Sequence, residues 1–169
     1  MTTFRYLADL LTGHKTSLKT VNAVIYLLTT VITKNETGQV LARQHYCLHS
    51  ICEHFSAQWQ TLDDAERDLI DDVVGVSLLQ QQTCYNLITA LSACVSNPRN
   101  ELDQQLCADR LMTEIFLVID GCVGCELLKH TTFLLNALLD DCLSNKKMAL
   151  KANGLEVLLS CLIGLGSQS

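Results

Sequence analysis

Residues 133–162, FLLNALLDDCLSNKKMALKANGLEVLLSCL, decide the fold. Leu134, Leu135, Leu138 and Leu139 recur at three- and four-residue spacing, the period of an amphipathic helix. Asn145-Lys146 opens a short second segment that carries Leu150. Asn153-Gly154 interrupts the pattern. From Leu155 onward the chain is apolar on nearly every side, through Leu158, Leu159, Leu162, Ile163 and Leu165. A strand would alternate, and none of these segments does. The unit is a helix, a short helix and a helix, with Gly154 predicted to permit the sharp corner between the last two.

The same period extends through the rest of the chain. Leu18, Val21, Val24, Ile25, Leu28, Val31 and Ile32 keep helical spacing throughout, and this outweighs the mild helix-disfavouring effect of Val and Ile. Helices are predicted at 3–12, 17–33, 38–59, from Thr61 to Gly75, 77–96, 101–119, 125–143, 146–151 and 155–165. Gly13, Asn97-Pro98 and Gly121 act as stops, and Thr61 followed by Asp63 and Asp64 resembles an N-cap with acidic first-turn residues. Short connections and ordinary helix lengths predict an all-α antiparallel array. No linker rich in Pro, Gly or Ser divides the chain, so residues 1–169 read as one domain.

Composition narrows the function classes. Apolar residues make up 49% and charged residues 18%, too hydrophobic for a disordered chain. One Pro and 8 Gly argue against a sandwich that needs frequent turns. The net charge of −6 and the lack of any basic run longer than Lys146-Lys147 argue against nucleic acid as a partner. The longest uncharged stretch, Val73 to Pro98, contains Gln80-Gln81-Gln82 and is too polar to span a membrane. Nine Cys are an odd number and lie mostly among Leu, Ile and Val, where Cys behaves as a small hydrophobe. The N-terminal residues lack a signal-peptide layout, and the expected location is the reducing cytoplasm.

The 133–162 stretch resembles the armadillo repeat. Asn145-Lys146, Leu150, Gly154, Leu155, Leu158, Leu159 and Leu162 fall on that family's scheme, in which Asn-Lys opens a short helix and Gly an apolar one. Leu87 to Ser96 echoes the segment that begins at Phe133, about 45 residues earlier, within the range of roughly 40–47 for HEAT and armadillo repeats. The resemblance implies an armadillo/HEAT-like right-handed superhelix, with a closed helical bundle as the alternative. It also resembles the degenerate repeats of large rotatin-like centriolar scaffolds. Armadillo proteins that read basic peptides use a Trp and Asn ladder. Asn136 matches a ladder Asn, but Thr132 stands at the Trp position, and Thr89 and Ala93 replace both in the earlier echo. The implied function is a non-catalytic protein–protein interaction scaffold in a centriolar or cytoskeletal assembly, with no cofactor.

Three constellations were weighed for chemistry. His45, His49 and Cys52 would share one sector of a continuous helix, at about 0°, 40° and 340°, and all three can ligate zinc; a fourth ligand is lacking, and the bland reading is a stripe beside the apolar face. Cys122 and Cys125 form a lone CxxC, which without a second pair or a βαβ context reads as helix-turn packing. The acidic run from Asp63 to Asp72 reads first as a solvated helix face and second as a contact for a basic helix. No metal site and no catalytic residue is assigned. The last helix, apolar all round, expects burial on more than one side. Asn136, Leu155, Leu158, Leu162 and Ile163 are the candidate protein-binding residues. They would meet a further repeat, a second copy or a partner's helical segment. A closed regulatory domain that binds a partner helix, or a zinc protein, is the competing class.

Overall fold

The computed structural model describes residues 2–13, 16–61, 78–97, 100–121 and 126–166. Among them the regular elements are all helices: α1 (Thr2–Thr12), α2 (Leu18–Ile32), α3 (Glu36–Gln44), α4 (Cys47–Thr61), α5 (Leu78–Val95), α6 (Glu101–Gly121), α7 (Glu126–Leu139), α8 (Leu143–Lys151) and α9 (Gly154–Gly166). The all-α class and most helix positions match the periodicity. The predicted helix after Thr61, the acidic run, Pro98 and the Cys122/Cys125 pair lie outside the described residues.

Local chemistry explains several boundaries. The Ser17 hydroxyl accepts the Thr20 backbone N–H at 3.2 Å and caps α2, and the Asn35 carbonyl oxygen accepts the Gly38 N–H at 3.1 Å and caps α3. Two predicted helices are corrected. The helix expected over 38–59 is two, because the chain turns at Tyr46, whose φ is 63°. The helix expected over 125–143 stops at Leu139, and Asp141 turns the chain with φ 48° before α8 begins at Leu143. A left-handed residue ends a helix at small cost, of the order of 1 kcal/mol, when the flanking helices gain more by packing. Tyr46 carries no sequence signal for that role, since Gly and Asn are its usual occupants.

The helices pack in two rows. In one, α1, α4, α6 and α9 follow one another; in the other, α2, α5 and α7 do. Pairs α1–α2, α4–α5 and α6–α7 tie the rows together, while α3 and α8 bridge across their ends. Among the described residues no substantial contact returns α9 to α1 or α7 to α2. The core runs continuously between the rows, through Ile25, Ile51, Leu87, Leu91, Ile115 and Leu127, all fully buried.

Buried amides recur where row helices end. Gln39 donates to the Ile32 and Ala93 carbonyls at 3.3 and 2.8 Å, Asn100 to Cys94 at 2.6 Å, Asn145 to Leu138 at 2.9 Å, and Gln104 to Ala137 and Asp140 at 2.8 and 2.9 Å. The last turns of α2, α5 and α7 have carbonyls with no helical N–H partner, and these side chains satisfy some of them without water. Asn145, picked out in the sequence as an armadillo-type position, therefore acts as a buried clasp.

One motif occurs twice. Lys34 and Asp141, both left-handed, precede the N-caps Asn35 and Cys142. Nine-residue helices follow in both places, then left-handed Tyr46 and Asn153, then α4 and α9. The spacing between Lys34 and Asp141 holds at every one of these positions and maps α1 onto the second half of α6 and α2 onto α7. The packing pairs repeat too: α1–α2, α1–α4, α2–α3 and α3–α4 become α6–α7, α6–α9, α7–α8 and α8–α9. This relation is longer than the 45-residue echo expected from sequence, and it relates whole four-helix groups.

Candidate functional site

The apolar surface concentrates at the α9 end. A groove of about 830 Å³ opens between α7 and α9. Ile119 of α6 lines it, with Leu128, Thr132, Phe133 and Asn136 of α7 and Leu158, Cys161, Leu162 and Leu165 of α9. Lys129 and Glu126 also line it and pair with each other at 3.0 Å. Leu162 is 64% exposed and Phe133 63%. On α9 a second strip, Leu155, Leu159 and Ile163, lies outside the groove, with Ile163 73% exposed.

The five candidate residues thus divide. Asn136, Leu158 and Leu162 line one groove, whereas Leu155 and Ile163 sit on the neighbouring strip. Residue types alone could not reveal the contribution of α7, since Thr132 and Phe133 join α9 only through the 73° bend between α8 and α9. No single helix among the described residues is long and apolar enough to cross a membrane.

Gly154 plays a different role from the one its position suggested. The left-handed residue at the corner is Asn153, with φ 56°. Gly154 is needed because a Cβ there would lie 2.2 Å from Cζ of Phe116. Its missing side chain lets α9 approach α6.

The zinc constellation does not assemble. The turn at Tyr46 takes His45 off the helix that carries His49 and Cys52. His45 and His49 line a surface cleft with Arg5 and Asp9, and His49 Nε2 lies 2.9 Å from Glu53. Cys52 is buried. Among the described residues no three His, Cys, Asp or Glu side chains form a group that could hold a metal ion. The described cysteines are free and buried. Burial pushes the Cys47 and Cys84 thiols up to about 11 and raises Cys94 further above its ordinary value. These three stay protonated at neutral pH and behave as small apolar groups.

A polar pair was missed in the sequence. Arg43 of α3 donates to Asp103 of α6 at 2.9 Å, and the Asp103 side chain is 1% exposed. Desolvation raises the Asp103 carboxyl above its ordinary value, against the lowering effects of Asn100 and Arg43. Its location inside the protein marks it as a fastener that ties the bridging helix α3 to α6. The residues lie too far apart in sequence for any spacing rule to pair them.

No protein-family model matches the chain, and no solved structure does. Among curated proteins it is similar to the Telomere repeats-binding bouquet formation protein 1 of Mus musculus, 26% identical over 167 residues, covering 98% of this chain and 21% of that protein. It is similar to the Homo sapiens protein of the same name at 26% over 145 residues, 86% of this chain and 19% of that protein. The chain spans about a fifth of the length of these relatives.

Proposed function

We propose that this chain is an armadillo/HEAT-type segment, coiled as a right-handed superhelix, that works as a non-catalytic scaffold for protein–protein contacts. The observation that carries the reading is α9: a helix of the core rows with its apolar strips uncovered. Contiguous exposed apolar surface of this kind favours a macromolecular contact. The succession of neighbour-to-neighbour packing supports an open array over a closed bundle, because a bundle would bring the last helices back to the first. The Asn145 clasp supports the armadillo likeness.

The relatives' name describes binding to telomere repeats and formation of the bouquet. The setting proposed for this chain is such an assembly, in the nucleus, in place of the cytoplasmic and centriolar setting expected from sequence. Within it, this segment contacts protein. A net charge of −6 repels a phosphate backbone, whose neutralisation needs clustered Lys and Arg.

Affinity purification from nuclease-treated lysates tests this, with the native protein beside Ile163→Glu. The expected outcome is recovery of telomere-associated proteins by the native form and loss of the same set by the variant, with circular dichroism unchanged. Partners released by the nuclease, or retained in full by the variant, would count against the scaffold role.

A further inference from the structure

The inner part of the α7–α9 groove has a filled counterpart inside the same molecule, whereas its rim, Phe133 and Asn136, corresponds to Tyr26 and Thr29, which line an open cleft. Moved back by the spacing between Lys34 and Asp141, Leu128 becomes Val21, Leu158 becomes Ile51 and Leu162 becomes Phe55. All three counterparts are buried; Phe55 is 3% exposed where Leu162 is 64%. The helices that carry them, α2 and α4, both pack against α5. Two hydrogen bonds seat it: Asn22 of α2 donates to Thr83 Oγ1 at 2.7 Å and accepts from Asn86 Nδ2 at 2.8 Å. Lys129, in the groove, is the counterpart of Asn22.

The neighbouring strip follows the same rule. Leu155 and Leu159 correspond to Leu48 and Cys52. Both of those are 1% exposed, whereas Leu155 is 54% exposed and Leu159 51%. Cys52 hydrogen bonds with Cys107 of α6. The apolar residues of both strips of α4 are therefore buried, whereas Leu155, Leu159 and Leu162 of α9 are exposed.

We infer that the α7–α9 groove is the seat of an amphipathic helix of the α5 kind, supplied by a further repeat that continues the array past α9. The inference rests on the array reading above and is independent of the telomere setting. The occupant's chemistry follows from α5: small and apolar residues at three- and four-residue spacing, as in Cys84, Leu87, Ile88 and Leu91, all buried, with a hydrogen-bond acceptor facing Lys129. A second copy is a poorer fit. Its own α5 is already seated between α2 and α4, so it has no free helix of that kind to offer.

A peptide of residues 78–96, the α5 sequence, titrated into the 169-residue protein tests the seat. Saturable binding is expected, weakened by about tenfold or more in Leu162→Glu, since burying one leucine is worth that much. Leu117→Glu, on an exposed part of α6 outside the groove, should leave binding unchanged. Leu162→Ala serves if the Glu variant loses helicity, and a smaller loss is expected from it. No binding, or binding that survives Leu162 substitution, overturns the inference. So does a concentration-dependent dimer that Leu162→Glu dissociates, which would give the groove to a second copy. If the peptide fails while Ile163→Glu still strips partners, the seat is wrong and the scaffold reading stands. If the peptide binds while the partner set is unchanged, the seat stands and the scaffold reading falls.

Discussion

The α1–α4 group and the group made by the second half of α6 with α7, α8 and α9 share a plan and differ in surroundings. In the first, Leu48, Ile51, Cys52 and Phe55 of α4 are buried beneath later helices. In the second, Leu155, Leu159 and Leu162 hold the same places and face solvent. Both sets are apolar, so the residues alone do not say which is core. In stacked helical units each one leaves a face to be buried by the next. The covered group shows what the bare one is shaped to receive.

That comparison breaks if the two groups respond alike to truncation. Ile51→Ala should cost about 3–4 kcal/mol, the transfer loss plus a cavity that cannot collapse, and Leu158→Ala about 1 kcal/mol, because its side chain is only partly covered. Urea unfolding of both variants measures this. Equal losses would mean that the groove is filled in solution. Next in size is the fastener between α3 and α6: Arg43→Ala should cost about 3 kcal/mol by leaving Asp103 buried without its cation.

The same pair has a pH signature. Because burial raises the Asp103 carboxyl, the folded state holds that proton more tightly than the unfolded chain. The resulting stability is fully present below the ordinary carboxylate pKa and is lost as pH rises through the raised one. Asp103→Asn should flatten that part of the profile, read from urea midpoints against pH. Smaller again, Gly154→Ala should cost about 2 kcal/mol by forcing a Cβ against Phe116. Its counterpart Cys47→Ala should cost about 1 kcal/mol, from the loss of a buried sulfur. The least effect is expected from Leu162→Gln, within about 0.5 kcal/mol, together with higher solubility; a large loss there would again mean a covered groove.

Much of the fold was legible because helical period survives in single residues. Ser17, Gly13 and the leucines of α7 marked their helices locally. The breaks at Tyr46 and Asp141 were not legible: Tyr seldom adopts the left-handed conformation and Asp does so only at some positions, and both are held there by the helices on either side. That one turn dissolved the His45, His49 and Cys52 sector. At the candidate site, the apolar excess of α9 was legible, as were Leu158 and Leu162. The contribution of Phe133 and Thr132 was not, because a groove requires two helices whose angle no local pattern records.

By itself the sequence determined the helical class and the apolar character of the last helix, since each depends on spacing within a few residues. Only the tertiary structure decided that Asn153 makes the corner while Gly154 makes room for Phe116, that Arg43 meets Asp103, and that α9 repeats α4 without its cover. Those facts join residues far apart in the chain, and burial is a property of what lies next to a side chain, which its own sequence neighbours do not set.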